Sequence, residues 1–288
     1  MSSSRKGLGK VLRRISEKTE GKKPTIVDTI DSACVEGVTA VGAFSLIGVR
    51  RAMKKMLRTL EEGDFKREEF FAEFSKLYSL VMAPDKRSYG VFHPSQLLDG
   101  CERAFAYELG GTPPSNKVLS TISPSLQRIF DTGTWYHIYI QNILYAKGVL
   151  EQAEVPVINK ERYINGKADG VIKESVYGER VVLEIKTMNS WSYQRAVFRP
   201  FKKHEFQASL YARELGIKKV LYLYINKDTS EIKEFLMPIN EEELAVADKK
   251  MDNVINHIKE GTLPKRSCDT PRCDRAFSCI FRDLCFKE

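Results

Sequence analysis

Asp169, Glu184 and Lys186 are the residues of this chain whose types and spacing could do chemistry. The stretch "VVLEIKT" (181–187) has the composition of a strand buried on both faces, yet it carries a carboxylate and an ammonium two positions apart. Burying an unpaired charge costs on the order of several kcal/mol or more, so something must hold Glu184 and Lys186 there. Side chains alternate across a strand. Val182, Glu184 and Lys186 therefore share one face, and Leu183 and Ile185 share the other. Asp169 lies fifteen positions before Glu184 across a predicted hairpin, an arrangement that brings both carboxylates toward one point. Hard oxygen ligands of this kind suit Mg²⁺ or Mn²⁺. Such a cation lowers the pKa of a bound water and stabilises charge on a phosphoryl oxygen. A neighbouring lysine can position or deprotonate that water, or stabilise the transition state.

An acid-x-Lys tripeptide is common, and here it also begins at Glu20, Asp64, Glu231 and Asp248. Those four lie in polar or helical contexts, or in the plainly alternating "EIKEF". The competing reading of Glu184 and Lys186 is a surface pair on an edge strand. The apolar "VVL" before them implies a central strand instead.

Asp169 followed by "LEIKT" resembles the PD-(D/E)xK nuclease signature, with Ala168 where proline is usual, a departure common in the RecB-like branch. Two further elements are similar to that branch. "GTWYH" (133–137) resembles its upstream Gly-x-x-x-His element, whose histidine is a metal ligand. "QASLY" (207–211) resembles its Gln-x-x-x-Tyr element, and Gln207 and Tyr211 at i and i+4 share one helical face. The resemblance covers about residues 90–288. It implies a restriction-endonuclease-like α/β core, a central mixed sheet flanked by helices. It also implies a cation held by His137, Asp169, Glu184 and the Ile185 backbone carbonyl. Lys186, Gln207 and Tyr211 complete the catalytic set that it implies.

Of six cysteines, Cys268, Cys273, Cys279 and Cys285 crowd the end of the chain, and Cys101 lies far upstream. This split resembles the iron–sulfur subgroup of RecB-like nucleases, which includes the AddB nuclease domain and the CRISPR spacer-acquisition nucleases. There one upstream and three C-terminal cysteines hold a [4Fe–4S] cluster. The pair Cys279-x5-Cys285 fits that ending, but the position three residues before Cys279 is Ala276. Cys273 or Cys268 must take its place, with Cys273 the first choice. Four thiolates equally suit structural Zn²⁺, in which case Cys101 is an ordinary buried thiol. Cys34 reads as a small core residue.

After the lysine, "NSWSYQRAVFRPFKKHEF" (189–206) mixes Trp191, Tyr193, Phe198 and Phe201 with Arg195, Arg199, Lys202 and Lys203. Cations contact phosphates and aromatic faces stack on unpaired bases, a combination suited to single-stranded nucleic acid. The alternative is a loop that packs its aromatics on the body. His93 and His204 receive no role.

The elements that must position these groups follow from periodicity. Helical spacing marks 65–81, 124–148, 203–216 and 241–261, and Pro94-Ser95 suits a helix start running into "SQLLDGCERAFAYELGG". Strand-like runs cover 154–158, 162–173, 180–187, 219–226 and 231–239, with a turn at 176–179. The class is mixed α/β. Three regions are expected: a basic arm at 1–26, a helical region at 27–90, and the nuclease-like domain at 91–288 with its cysteine cluster at 268–285.

The chain has 288 residues, 42% hydrophobic and 29% charged, with a formal charge of +8. Residues 1–23 hold eight Lys/Arg against Glu17 and Glu20, so the rest is nearly balanced. A second basic cluster is "VRRAMKKMLR" (49–58). The arm either contacts nucleic acid or is a solvated tail. The apolar run at 33–49 is short, glycine-rich and broken by Glu36, unlike a membrane span of about 20 residues. It reads as a buried or interfacial helical segment. With no secretion signal visible, a cytoplasmic protein without disulfides is expected. The reading implied is an Mg²⁺- or Mn²⁺-dependent deoxyribonuclease, an exonuclease on single-stranded DNA ends in recombination, repair or replication. No Walker-type loop is present, so a helicase or recombination motor would be a separate partner. The rival is a catalytically inactive nuclease-fold DNA-binding module or a zinc-stapled adaptor.

Overall fold

The computed structural model describes residues 25–36, 89–115 and 124–287. The basic arm up to residue 24, the apolar segment beyond Glu36, the basic cluster at 49–58 and the helix expected at 65–81 lie outside the described residues, as does the Cys34 side chain.

Five strands form one sheet in sequence order: β1 (Leu150–Asn159), β2 (Ile164–Ile172), β3 (Val181–Met188), β4 (Lys219–Asn226) and β5 (Ile232–Pro238). Only β3 and β4 run parallel; the other neighbours are antiparallel. A parallel pair cannot be joined by a tight turn. The crossover here contains the helices Ser190–Arg195 and Lys202–Glu214. The strand with the charged pair is thus the central one of five.

Its sequence explains that place. Val181, Val182, Leu183 and Ile185 are fully buried, each worth about 1.5–3 kcal/mol relative to an exposed side chain. Leu183 and Ile185 pack on one side with Ile140, Ile143 and Leu144 of the long helix Pro124–Ala146. Val182 packs on the other with Ala208, Tyr211 and Ala212.

In chain order the helices are α1 (Ile26–Glu36), α2 (Pro94–Leu97), α3 (Glu102–Leu109), α4 (Pro124–Ala146), α5 (Glu174–Tyr177), α6 (Ser190–Arg195), α7 (Lys202–Glu214), α8 (Glu241–Lys259), α9 (Asp274–Phe277) and α10 (Arg282–Cys285). Thr25 and Asp28 start α1 with a reciprocal capping pair: Asp28 N–H donates to Thr25 Oγ1 at 3.0 Å and Thr25 N–H to Asp28 Oδ2 at 2.9 Å. Asn240 caps α8 by accepting from Glu243 N–H. Leu244, Ala247, Met251 and Val254 then bury one face of α8 beside Phe105 of α3 and Phe206 and Leu210 of α7.

Two local expectations need correction. The segment after Pro94 is not one helix: α2 and α3 are separated at Gly100, where a Cβ would meet the Phe105 ring at 2.2 Å. The turn expected at 176–179 contains the end of α5 and closes on left-handed Gly178.

Candidate metal centre

The pairing of β2 with β3 is short: Gly170, Val171 and Ile172 face Leu183, Val182 and Val181, and no pair continues it beyond Gly170. Asp169 and Glu184 are the next residues of each strand, so they stand in the fork where the strands part. Asp169 bridges the opening by accepting a 2.6 Å hydrogen bond from Ile185 N–H through Oδ2. Its Oδ1 lies 3.3 Å from His137 Nδ1 on α4. Hence α4 contributes twice: its C-terminal half packs on the sheet, and His137 reaches over the fork.

Glu184 is fully buried. Lys186 Nζ lies 2.5 Å from Glu184 Oε1, a charge-assisted contact, and Oε2 has no partner among the described residues. Burial pushes the Glu184 carboxyl up to about 7, against the pull of Lys186 and with the help of Asp169. Burial opposes charge on the other three groups as well, but partners overcome it. Asp169 stays below the usual carboxylate range because His137, Lys186 and Ile185 N–H favour its ionised form. His137 is raised by Asp169. Lys186 is raised by Glu184 and Asp169 and remains an ammonium.

The register of β3 with β4 sets Tyr222 beside Glu184 and Tyr224 beside Lys186. Both phenols are raised by burial, and Glu184 adds to this. Tyr224 Oη accepts from Phe201 N–H at 2.8 Å and lies 2.5 Å from His204 Nδ1. Burial, then Lys186 and Lys203, push the His204 imidazole down to about 3. Tyr211 on α7 faces Gly166 of β2, where a Cβ would come within 2.6 Å of its ring. Gln207 is half-buried on the same helix, one turn earlier.

His137, Asp169, Glu184, Lys186 and Tyr211 are therefore brought together, and Ile185 joins them through its N–H. Sequence reasoning missed Glu154 and Gln141. Gln141, one turn after His137 on α4, donates through Nε2 to Glu154 Oε1 at 2.7 Å and to the Asp169 carbonyl at 2.9 Å. The spacing His137-x3-Gln141 on one helix face was the available signal. His137, Glu154 and Asp169 each offer a ligand atom, all within 4.8 Å of one another.

The basic aromatic stretch divides. Trp191 is exposed, with the Arg195 guanidinium 4.4 Å from its ring centroid, and Phe198 is almost fully exposed. Tyr193 is buried, with Lys233 over its ring at 4.0 Å. Arg199 forms two hydrogen bonds with Glu205, at 3.1 and 2.8 Å. Lys202 pairs with Glu243 at 3.0 Å and Lys203 with Asp99 at 3.7 Å. The stretch is thus part loop packing, part exposed aromatic–cation surface.

Five free cysteines gather at the junction of α3 with the C-terminal segment. Cys101, Cys268, Cys279 and Cys285 line one cavity together with Arg103, Arg266, Arg275 and Arg282. Cys273 instead caps α9, its Sγ accepting from Ala276 N–H at 3.4 Å. Burial and the adjacent Cys273 thiol push the Cys268 thiol up to about 11. Phe281 on Tyr107 and Ser115 N–H on the Ile280 carbonyl also join this segment to the body.

No protein-family model and no curated protein matches the chain. Among solved structures, it is similar to SSO0001 at 22% identity and a TM-score of 0.44, covering 75% of this chain and 96% of that one. It is also similar to the alkaline exonuclease LHK-Exo from Laribacter hongkongensis, at 12% identity and a TM-score of 0.45 over 60% of this chain and 89% of that one. The complex of LHK-Exo with dAMP matches at 13% identity, with the same coverage and TM-score. No helix among the described residues is long and apolar enough to cross a membrane.

Proposed function

We propose that this chain is a divalent-cation-dependent nuclease that hydrolyses phosphodiester bonds of DNA, acting as an exonuclease on single-stranded ends. The observation that carries the reading is Glu184, a fully buried carboxylate whose Oε1 meets the Lys186 ammonium and whose Oε2 has no partner among the described residues, beside the His137–Asp169 contact. A buried carboxylate oxygen left in the condition of Oε2 is costly unless a donor or a cation meets it. One imidazole nitrogen and several carboxylate oxygens are a donor set that fits Mg²⁺ or Mn²⁺.

His137, Asp169 and Glu184 would hold the cation, with the Ile185 carbonyl as a further donor. When bound, it supplies charge stabilisation at a phosphoryl oxygen and a more acidic water. Lys186, kept protonated by its acidic neighbours, presents N–H donors and positive charge to the phosphate and orients the attacking water. As the water oxygen bonds to phosphorus the ester P–O bond breaks; the water gives up one proton to solvent, and the leaving oxygen takes one up from solvent. Tyr211 and Gln207 on α7 line the strand's path. Trp191 and Arg195 offer a stacking and phosphate-contacting surface beside it, with Arg199, Lys202 and Lys203 following where DNA displaces their carboxylate partners.

For the cysteine cavity the same reading assigns a [4Fe–4S] cluster on Cys101, Cys268, Cys279 and Cys285. Cavity lining favours Cys268 over Cys273 as the fourth ligand, and four arginines suit an anionic thiolate cluster.

The test is digestion of end-labelled single- and double-stranded DNA with Mg²⁺ or Mn²⁺, with Lys186→Ala as control. Cation-dependent shortening from single-stranded ends, lost in K186A, is the expected result. Equal behaviour of the two proteins would remove the enzyme reading in favour of a binding module.

A further inference from the structure

The proposed cation site has one acidic neighbour that the motif does not contain. We propose that Glu154, on β1, is a further carboxylate ligand of the cation; this rests on the reading of His137, Asp169 and Glu184 as its site. Among the described residues, His137, Glu154 and Asp169 form the group whose ligand atoms all lie within 4.8 Å of one another. The pairs Ala153–Gly170 and Val155–Ala168 flank Glu154, which sets it opposite Asp169 between β1 and β2.

Its backbone gives up strand geometry to stand there. Glu154 has φ +52°, a left-handed conformation that a non-glycine residue adopts rarely and at a cost of about 1–3 kcal/mol. Its carboxylate is held toward Asp169 from two directions. Gln141, itself buried, bonds both Glu154 Oε1 and the Asp169 carbonyl. Lys167 Nζ sits 2.7 Å from Oε2. On the other side of the fork Glu184 is fully buried, with Oε1 against Lys186 Nζ and Oε2 without a partner among the described residues.

Three carboxylates thus face one imidazole and two lysines. Cations of this class take six or more oxygen or nitrogen donors, so a fourth side chain still leaves positions for water and a phosphate oxygen. Glu154 is half-exposed, which makes it the arm that a cation arriving from solvent meets first. Lys167 occupies that arm until the cation displaces it.

Mn²⁺ binding, read as loss of the free-ion electron paramagnetic resonance signal, tests this without any DNA cleavage. The proteins are wild type, Glu154→Gln, Lys167→Met and Glu184→Gln, each checked for folding by circular dichroism. E154Q is expected to weaken Mn²⁺ binding at least fivefold, and K167M to bind as tightly as wild type or tighter. A change below fivefold in E154Q, while E184Q binds weakly, overturns the role of Glu154 alone. Weakening in K167M by the same factor as in E154Q overturns it too, since Glu154 would then serve Lys167. Unchanged binding in E184Q removes the site itself, and this proposal with it.

Discussion

Replacing Glu184 by glutamine should stabilise the cation-free protein at alkaline pH while abolishing its response to cations. The carboxyl is pushed from 4.5 to about 7 on folding, chiefly by burial. Between those values the native state binds a proton that the unfolded chain has released, so stability falls as pH rises. The loss begins near 4.5 and is complete above about 7. At about 1.4 kcal/mol per pH unit, the interval is worth about 3 kcal/mol. Glutamine mimics the protonated acid in shape and lacks the charge. The two proteins should therefore match near pH 4, and the variant should lead by about 3 kcal/mol at pH 8.

Urea unfolding in chelator at a series of pH values measures the difference, and taking it at each pH cancels contributions common to both proteins. Adding Mg²⁺ or Mn²⁺ at pH 8 should close that gap. A cation at a hundred times its dissociation constant stabilises the wild type by about 2.7 kcal/mol, and E184Q should gain little. The reasoning fails if the advantage of E184Q does not grow with pH, for Glu184 would then ionise as an ordinary carboxylate and need no cation.

Gly166→Ala places a methyl within 2.6 Å of the Tyr211 ring; it should cost about 1–3 kcal/mol and reduce DNA cleavage with Mn²⁺ binding retained, and unchanged cleavage would remove Tyr211 from the site. His204, pushed down to about 3, stays neutral in the folded protein while the unfolded chain charges below about 6.5, so its contribution is complete above 6.5 and lost as pH falls toward 3. That slope is opposite in sign to the one from Glu184, and His204→Gln should flatten the acid limb of a stability–pH curve. Cys268→Ser should lose the visible absorbance and bound iron of a purified Fe–S protein, whereas Cys273→Ser should keep most of both; the reverse would restore Cys273 as the ligand.

The centre of this fold was legible because burial and charge conflict there in few residues. A β-branched run with one acid and one lysine in it reads as a central strand with a purpose, and β3 is the third strand of five. Asp169 and His137 were readable through the spacing of their motifs. Glu154 was not, because its place depends on the register of β1 with β2 and on a left-handed residue inside a strand. Neither property has a signature in "EQAEVPVIN". The ion pairs of the basic stretch after β3 were not legible for a related reason: Glu205, Glu243 and Asp99, which pair with Arg199, Lys202 and Lys203, include residues about forty and a hundred positions away in the chain. Spacing reveals which cations are near one another, not which anions the fold brings to them.

The fork between β2 and β3 lets a central strand tolerate its charges. Had β2 and β3 stayed paired past Gly170, Asp169 and Glu184 would be cross-strand neighbours, and like charges directly opposite destabilise a sheet. The strands part instead at that residue pair. Asp169 turns to the Ile185 amide and His137, and Glu184 is left with Lys186 and two phenols on the adjoining strand. The fork relieves the repulsion only in part, since Asp169 still raises the Glu184 pKa. What remains is a folded state with an unmet demand for positive charge, filled by a proton below about pH 7 and, on the reading proposed here, by a divalent cation above it. Protons and cations should therefore compete: apparent Mn²⁺ affinity should fall as pH is lowered through 7, by up to tenfold per pH unit for one displaced proton. Affinity independent of pH between 6 and 8 would mean that Glu184 is not among the ligands.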